Sequence, residues 1–240
     1  MKSILNDLCS ARGGADRRRK LEAVLRSRFP GRLVVERRAW GIDSRVPETV
    51  NFLVPFGRQR GHLVLGAHYD AVPEAPGAND NGAAVVQLLE SASRLHATSV
   101  AGAPEPDVTF CFWDHEELFG SPFMGSKLYL ENQAWALPAR AVVYDVTGVG
   151  EFFVSGCDET GLLLDLPSRS TPPSDNVVLV QAGIPTTLIC ALPSHEMQDS
   201  CPATWKTLHT PMDTADCVDR HALMAGADLA MAIVERFQAA

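Results

Sequence analysis

The sequence predicts an α/β protein, a three-layer sandwich in which helices flank a mixed, largely parallel central sheet. Short runs rich in β-branched and aromatic residues alternate with stretches of helical periodicity, as in strands joined by crossover helices. The chain has 240 residues, of which 46% are hydrophobic. Because such a chain can bury one sizeable core, we expect a single domain over residues 1–240.

The predicted strands are apolar runs bounded by polar, Gly-rich or Pro-rich turns. They cover residues 33–35, 50–54, 63–67, 108–113, 141–144, 152–154 and 186–190. Between the third and fourth of them, one apolar helix face is formed by Ala84, Leu88, Ala92 and Leu95. Residues 218–237 are expected to form the closing helix.

Residues 1–32 are predicted to be a basic helical segment packed on this domain. In "DRRRKLEAVLRSRF" the apolar residues Leu21, Val24, Leu25 and Phe29 follow helical spacing, so we expect the arginines on the solvent-exposed face. A partner or an anionic surface is the alternative role for them. Residues 1–40 carry a net charge of +7 and the remaining residues −15, and so acidic a body argues against binding to nucleic acid.

The composition also suggests a location. No run approaches the roughly 20 apolar residues of a membrane span, and the first residues lack the apolar region of about 7 to 15 residues of a signal peptide. The six cysteines show no CxxC or other zinc spacing, which is typical of reduced thiols in a domain of this size. We therefore expect a cytoplasmic protein without a membrane partner, and a Cys190–Cys201 disulfide is the alternative for that pair.

Ionisable residues follow three predicted strands at the point where each strand ends. His68 follows the run 63–67, Asp145 follows 141–144, and the acidic sequence "DHEE" follows 108–113. Because ligands collect beyond the carboxyl ends of the strands in such sheets, we expect these side chains to lie close together. Asp80 at a helix start and His209 in "TLHTPMDT" complete a set of His, Asp, Glu, Asp and His.

Metal binding explains this set better than packing does. Zinc accepts imidazole nitrogen and carboxylate oxygen, and a carboxylate can bridge two ions about 3.5 to 4 Å apart. Carboxylates that converge without a cation would repel one another and raise one another's pKa. Each residue alone has a simpler explanation, such as a helix cap for Asp80, a core histidine for His68 or a solvated loop for Glu116 and Glu117. Those explanations would all have to hold together to replace a metal site.

Six motifs occur in a fixed order between residues 51 and 218: "HYD", "GANDNGAA", "DHEELFGS", "YDVTG", "SDN…AGIP" and "LHTPMDT". Together they resemble the ordered motifs of the co-catalytic di-zinc aminopeptidases of clan MH, the family that also holds glutaminyl cyclases. The resemblance implies a phosphorylase/hydrolase-like zinc exopeptidase fold. It also implies hydrolysis of the N-terminal peptide bond of peptides, with two zinc ions per chain.

Carried over residue by residue, the resemblance assigns His68 and Asp145 to one zinc, Glu117 and His209 to the other, and Asp80 to both. It implies a non-proline cis peptide bond directly after Asp80.

The resemblance assigns two catalytic roles as well. Asp70 would accept the ring N–H of His68 and fix its tautomer. Glu116 would be the general base that takes a proton from water and later protonates the leaving amine.

The sequence departs from the family pattern after Asp145. Only 28 residues separate Asp145 from Ser174, so we expect a reduced or open pocket rim. Asp175 in "SDN" is interpreted as structural support. His195 belongs to no motif and is interpreted as structural, with a place in the pocket wall as the alternative.

Two alternative functions stay open. One is a single-zinc glutaminyl cyclase or another amide-hydrolysing relative, so the expected substrate is a peptide or a small amide. The other is a binding module that has kept the fold and lost the chemistry, against which the retained ligand set and Glu116 both argue.

Overall fold

A computed structural model describes residues 1–41, 46–58, 61–132, 136–163 and 165–240. The strands are β1 (Val34–Ala39), β2 (Glu48–Phe56), β3 (Leu63–His68), β4 (Val108–Trp113), β5 (Arg140–Tyr144), β6 (Glu151–Ser155), β7 (Ser168–Arg169) and β8 (Thr186–Leu192). They form one sheet in the order β1-β2-β4-β3-β5-β8-β6-β7. The seven predicted strands are confirmed, and the two-residue β7 is the addition.

The centre of the sheet is parallel and its flanks are mixed. Strand β3 pairs in parallel with β4 and β5, and β5 pairs in parallel with β8. The pairs β1–β2, β2–β4 and β6–β8 are antiparallel, whereas β6–β7 is parallel. The carboxyl ends of β3, β4, β5 and β8 therefore meet at one edge of the sheet.

Helices cover both faces of the sheet. They are α1 (Lys2–Cys9), α2 (Gly14–Arg28), α3 (Ala83–Val100), α4 (Gly125–Glu131), α5 (Asn176–Gln181) and α6 (Arg220–Ala239). Successive residues of a strand point to opposite faces: Leu63 and Leu65 pack with α1, α2, α3 and α6, whereas Val64 packs with α4 and α5. This arrangement confirms the predicted three-layer α/β sandwich.

The N-terminal segment forms α1 and α2, and Leu21, Leu25 and Phe29 lie in the core as predicted. The expectation that the arginines of this segment face solvent is wrong for Arg17, which is only 3% exposed. Its side chain is drawn inward because it binds backbone carbonyls of the loop that follows β3. The single domain over residues 1–240 stays a prediction.

Two further sequence expectations concern the cysteines and membranes. All six cysteines are free thiols, so Cys190 and Cys201 are not paired. Among the helices described, none combines the length and the apolar character that a bilayer span requires. The cytoplasmic location stays a prediction.

Candidate metal centre

The five predicted ligands lie together at the carboxyl edge of the parallel strands. His68 is the last residue of β3, and Asp145 directly follows β5. Asp80 lies in the tight turn Ala78–Gly82 that leads into α3, and Glu117 lies in the single helical turn Glu116–Leu118 after β4. His209 comes from the loop before α6.

Asp80 stands between the two histidines. Nε2 of His68 lies 3.2 Å from Oδ1 of Asp80 and 3.5 Å from Oδ1 of Asp145. Nε2 of His209 lies 3.1 Å from Oδ2 of Asp80 and 3.1 Å from Oε2 of Glu117. Each oxygen of Asp80 therefore faces a different histidine, and each histidine has a second carboxylate beside it.

These spacings fit a metal. Two ligands on one tetrahedral zinc, each about 2.0 to 2.1 Å from it, lie about 3.3 Å apart. Nε2 of His68, Oε1 of Glu117 and Oδ1 of Asp145 are buried without a hydrogen-bond partner in the part of the chain described. Buried polar atoms normally have a partner, and a cation would supply one. Within the described ranges, one group of three or more His, Cys, Asp or Glu side chains has all its ligand atoms within 4.8 Å of one another. It consists of His68, Asp80 and Glu117.

The pKa values of the side chains at the centre also indicate that it lacks positive charge. Burial raises the pKa of Glu116 to about 9, and the nearby carboxylate of Asp145 adds to that rise. Burial and Asp80 raise the pKa of Glu117 to about 7. The hydrogen bond with Asp80 and the charge of Glu117 raise the pKa of His209 to about 9. Because the carboxylates outnumber the cationic side chains of the chain here, these groups keep their protons at pH values where free side chains would lose them.

Asp70 makes contacts beyond the predicted one. Its Oδ1 lies 3.3 Å from Nδ1 of His68, but that nitrogen makes no hydrogen bond among the described residues. The carboxylate accepts the backbone N–H groups of Glu116 and Glu117, each at 3.1 Å. Asp70 therefore orients the turn that carries both glutamates, and its effect on the tautomer of His68 stays a prediction.

Asp213 is a site residue that sequence reasoning missed. Its carboxylate accepts the backbone N–H of Asn79 at 2.7 Å and that of Asp80 at 3.1 Å, and so holds the turn in place. The signal was present, since Asp213 lies four residues after His209 in "LHTPMDT", but it resembled an ordinary helix start. The peptide bond between Asp80 and Asn81 is cis, as the resemblance implied.

Three residues with left-handed backbone lie at the site. They are His115 (φ 58°), Val146 (φ 53°) and His209 (φ 58°). A non-glycine residue rarely adopts positive φ, and a β-branched residue such as Val146 does so least readily. Each of them is, or directly adjoins, a predicted site residue, which is where such conformations concentrate.

A cavity of about 400 Å³ opens beside the carboxylates. Its other walls are largely apolar and are formed by Phe119, Val146, Pro172, Pro173, Leu188, Cys190, Trp205 and Leu208. His195 is not among the lining residues, and its side chain is 82% exposed. The hypothesis that His195 forms a wall is therefore wrong.

Asp175 lies fully buried behind this edge of the sheet. Neither of its carboxylate oxygens has a hydrogen-bond partner within the ranges that the structure describes. Burial raises the pKa of Asp175 to about 7, so it adds to the local excess of acid groups.

Residues 51–152 match the sequence model of Peptidase family M28. The chain is 43% identical over 77 residues to the probable lipoprotein aminopeptidase LpqL of Mycobacterium tuberculosis. The matched segment covers 32% of this chain and 14% of that protein. It is 28% identical over 193 residues to aminopeptidase YwaD of Bacillus subtilis, covering 72% of this chain and 40% of that protein. The chain thus spans less than half the length of these curated relatives.

Solved structures share the fold over nearly the whole chain. A Zn-dependent exopeptidase from Parabacteroides distasonis superimposes with a TM-score of 0.76 at 16% identity, covering 97% of this chain and 96% of that one. A glutaminyl cyclase from Porphyromonas gingivalis gives a TM-score of 0.76 at 18% identity, covering 98% and 96%. These likenesses confirm the predicted zinc exopeptidase fold.

Proposed function

We propose that the chain is a member of Peptidase family M28, whose sequence model matches residues 51–152, and that it is a zinc-dependent aminopeptidase with two zinc ions per chain. The observation that carries this proposal is the position of Asp80, whose two oxygens lie 3.2 and 3.1 Å from two different histidines. A single carboxylate between two imidazoles is suited to bridge two ions.

Each half of the centre would hold one ion. His68 and Asp145 would hold the first ion, Glu117 and His209 would hold the second, and Asp80 would be shared by both. Each ion would then have three protein ligands, as catalytic zinc sites usually do. Zinc bound there would polarise a carbonyl group and lower the pKa of water.

Glu116 is proposed as the general base. Its side chain is buried, and Oε2 lies 3.9 Å from Nε2 of His68. Asp70 fixes the backbone of Glu116 through a hydrogen bond, so the carboxylate has a defined direction. There it would take a proton from the attacking water and deliver it to the amine that leaves. A bound dication would lower the pKa of Glu116 from its metal-free value of about 9 and leave it ionised.

The substrate is proposed to be a peptide that places its N-terminal residue in the cavity. Glu116, Glu117 and Asp145 line one part of the cavity, where the bond to be cleaved would lie, whereas the apolar wall can receive the side chain of the N-terminal residue. A cavity of about 400 Å³ suits one residue better than a long segment.

The test is a panel of aminoacyl anilides and dipeptides with the zinc-loaded protein. Glu116→Gln removes the base without altering the proposed ligands, so we expect kcat to fall by about 10²- to 10⁴-fold with unchanged zinc content. Glu105→Gln, a glutamate that is not among the cavity residues, is the matched control. Full turnover by Glu116→Gln would rule out its role as base, and a wild-type protein that is inert with zinc would favour the binding module.

A glutaminyl cyclase or another amide-hydrolysing relative is the second candidate. It is favoured by His68, Asp80 and Glu117, which form one compact group where the structure describes the chain, and by the fold shared with solved cyclases. Zinc analysis and a substrate with N-terminal Gln separate the two functions. About two zinc ions per chain with peptide cleavage support the aminopeptidase, whereas one ion with cyclisation of the Gln supports the cyclase.

A further inference from the structure

Arg17 is a buried cation that lies next to the metal centre and belongs to the basic N-terminal segment. It is on α2, and its side chain donates to three backbone carbonyls of one loop. Nε donates to Tyr69 at 2.5 Å, Nη1 to Pro76 at 2.6 Å and Nη2 to Gly77 at 2.7 Å. The guanidinium group thereby joins the two ends of the loop 69–77.

These two ends lie close in sequence to predicted ligands. Tyr69 directly follows His68, and Gly77 comes three residues before Asp80. The planar guanidinium presents its donors in a fixed fork, so carbonyls bound to it have a set spacing. Arg17 therefore restricts the separation between the backbone near His68 and the backbone near Asp80.

The guanidinium group of Arg17 also packs closely against two glycines. A Cβ atom at Gly77 would lie 3.2 Å from Nη1 of Arg17, and one at Gly82 would lie 3.2 Å from Nη2. The same turn is bound by Asp213, whose carboxylate accepts the N–H groups of Asn79 and Asp80. Two side chains that are distant in sequence thus hold the turn that carries Asp80.

We propose that Arg17 is a positioning residue of the metal centre, which holds the loop 69–77 so that His68 and Asp80 keep the spacing that a metal ion requires. This inference rests on the metal site of the proposed function. It also assigns a role to the N-terminal segment, which would support the centre from outside without contacting the metal.

Simple docking of α2 is the competing explanation. Docking alone would be served by apolar side chains, and Leu21 and Leu25 of the same helix already provide them. Burying a guanidinium has a large desolvation cost, which hydrogen bonds to its donors must offset. Among the residues described, no carboxylate lies within ion-pair distance of Arg17, and three of its five N–H donors are bound by carbonyls of the loop between His68 and Asp80. That choice of partners favours the positioning role.

The experiment measures the zinc dissociation constant of the metal-free protein by competition with a chromogenic chelator. Arg17→Met is compared with the wild type, with Arg17→Lys and with the matched control Arg18→Met, which removes the ion pair of α2 with Glu48. We expect Arg17→Met to weaken zinc binding by about 10- to 100-fold, the usual effect of losing an outer partner of a metal site. Arg17→Lys should be intermediate, and Arg18→Met should stay within about two-fold.

Hydrogen exchange of the metal-free proteins gives a second readout. The amides of residues 69–82 should exchange faster in Arg17→Met than in Arg18→Met, whereas the amides of β3 and β4 should not differ. Equal zinc affinities of the Arg17→Met and Arg18→Met proteins would overturn the inference. If Arg17→Met does not fold, Arg17→Lys is judged against Arg18→Met by the same criterion.

The two proposals fail in different ways. Zinc binding by the wild type without peptide turnover would remove the aminopeptidase and leave the role of Arg17 intact. A wild type that binds no zinc would overturn both. Normal turnover with normal zinc affinity in Arg17→Met would remove the role of Arg17 alone.

Discussion

Glu105 and Glu116 have opposite environments. Glu105 binds Nη2 of Arg32 at 2.5 Å and the backbone N–H of Gly57 at 3.0 Å, and these contacts lower its pKa to about 2. Glu116 is buried near Asp145 and Asp175, and its pKa rises to about 9. The charge of Glu105 is balanced by an arginine of the same chain, whereas Glu116 has too little positive charge nearby to balance its own.

The same difference separates two regions of the molecule. In the N-terminal segment, arginines face carboxylates of the acidic body, as in the pairs Arg18–Glu48, Arg28–Glu90 and Arg32–Glu105. The strong positive charge of this segment is therefore compensated within the chain. At the metal centre, by contrast, an excess of carboxylates points to a cation from outside the chain.

The largest expected effect comes from removing the carboxylate between the two histidines. Asp80→Ala deletes a ligand from both proposed ions, so we expect the zinc content after dialysis to fall to near zero. Asp145→Ala deletes a ligand from one ion only and should leave about one zinc per chain. Metal analysis of both variants measures the difference. Equal losses in the two variants would contradict the bridging position of Asp80.

A smaller effect is expected on stability and its pH dependence. The raised pKa values of Glu117 (about 7) and Glu116 (about 9) mean that the metal-free folded state keeps protons that the unfolded chain releases above pH 4.5. The free energy of unfolding of the metal-free protein should therefore fall as the pH rises from about 4.5 towards 9. Zinc at about 100 times its Kd should add about 2.7 kcal/mol for each ion bound, or roughly 5 to 10 °C in Tm per ion.

Calorimetry in chelator and in zinc, between pH 5.5 and 8, measures both trends. Because zinc binds deprotonated ligands, the rise in Tm that it causes should grow with pH. A metal-free protein whose stability increases over this range would show that its carboxylates are compensated from within the chain.

The smallest effect is expected at the compensated glutamate. Glu105→Gln removes one partly exposed ion pair and should lower the free energy of unfolding by about 1 kcal/mol or less at pH 7. The lowered pKa of Glu105 contributes stability above its unfolded value of 4.5, which is lost as the pH falls towards 2. Urea denaturation at pH 7 and pH 3 measures this loss. A change in zinc affinity in this variant would show that the two regions are coupled.

Much of the fold and of the candidate site was predictable from local patterns. The apolar runs that became β3, β4 and β5 are each followed by acidic or imidazole groups, and parallel strands bring such groups to one edge. For that reason the sequence alone predicts that His68 and Asp145 lie close together at that edge. The resemblance of the ordered motifs to a zinc family then favoured a metal centre over the separate explanation available for each residue.

Arg17 and Asp213 could not be recognised in the same way, because their roles depend on backbone atoms distant in sequence. Arg17 lies four and eight residues before Leu21 and Leu25 and so shares their helix face, but its charge suggested exposure. The structure shows instead that it binds carbonyls 52 to 60 positions away. Asp213 resembles a helix start, yet it accepts N–H groups more than 130 positions away. Hydrogen bonds to the backbone leave no residue pattern at the partner position, since any amino acid supplies the carbonyl.

The sequence by itself determined the layer order, the strands and the identity of the residues that meet at the metal centre. These properties follow from hydrophobic periodicity and from side-chain chemistry, both of which are local. Only the tertiary structure decided which oxygen of Asp80 faces which histidine and which side chains support the turn that carries it. Those choices depend on distances between segments far apart in the chain, which the packing of the whole sandwich establishes.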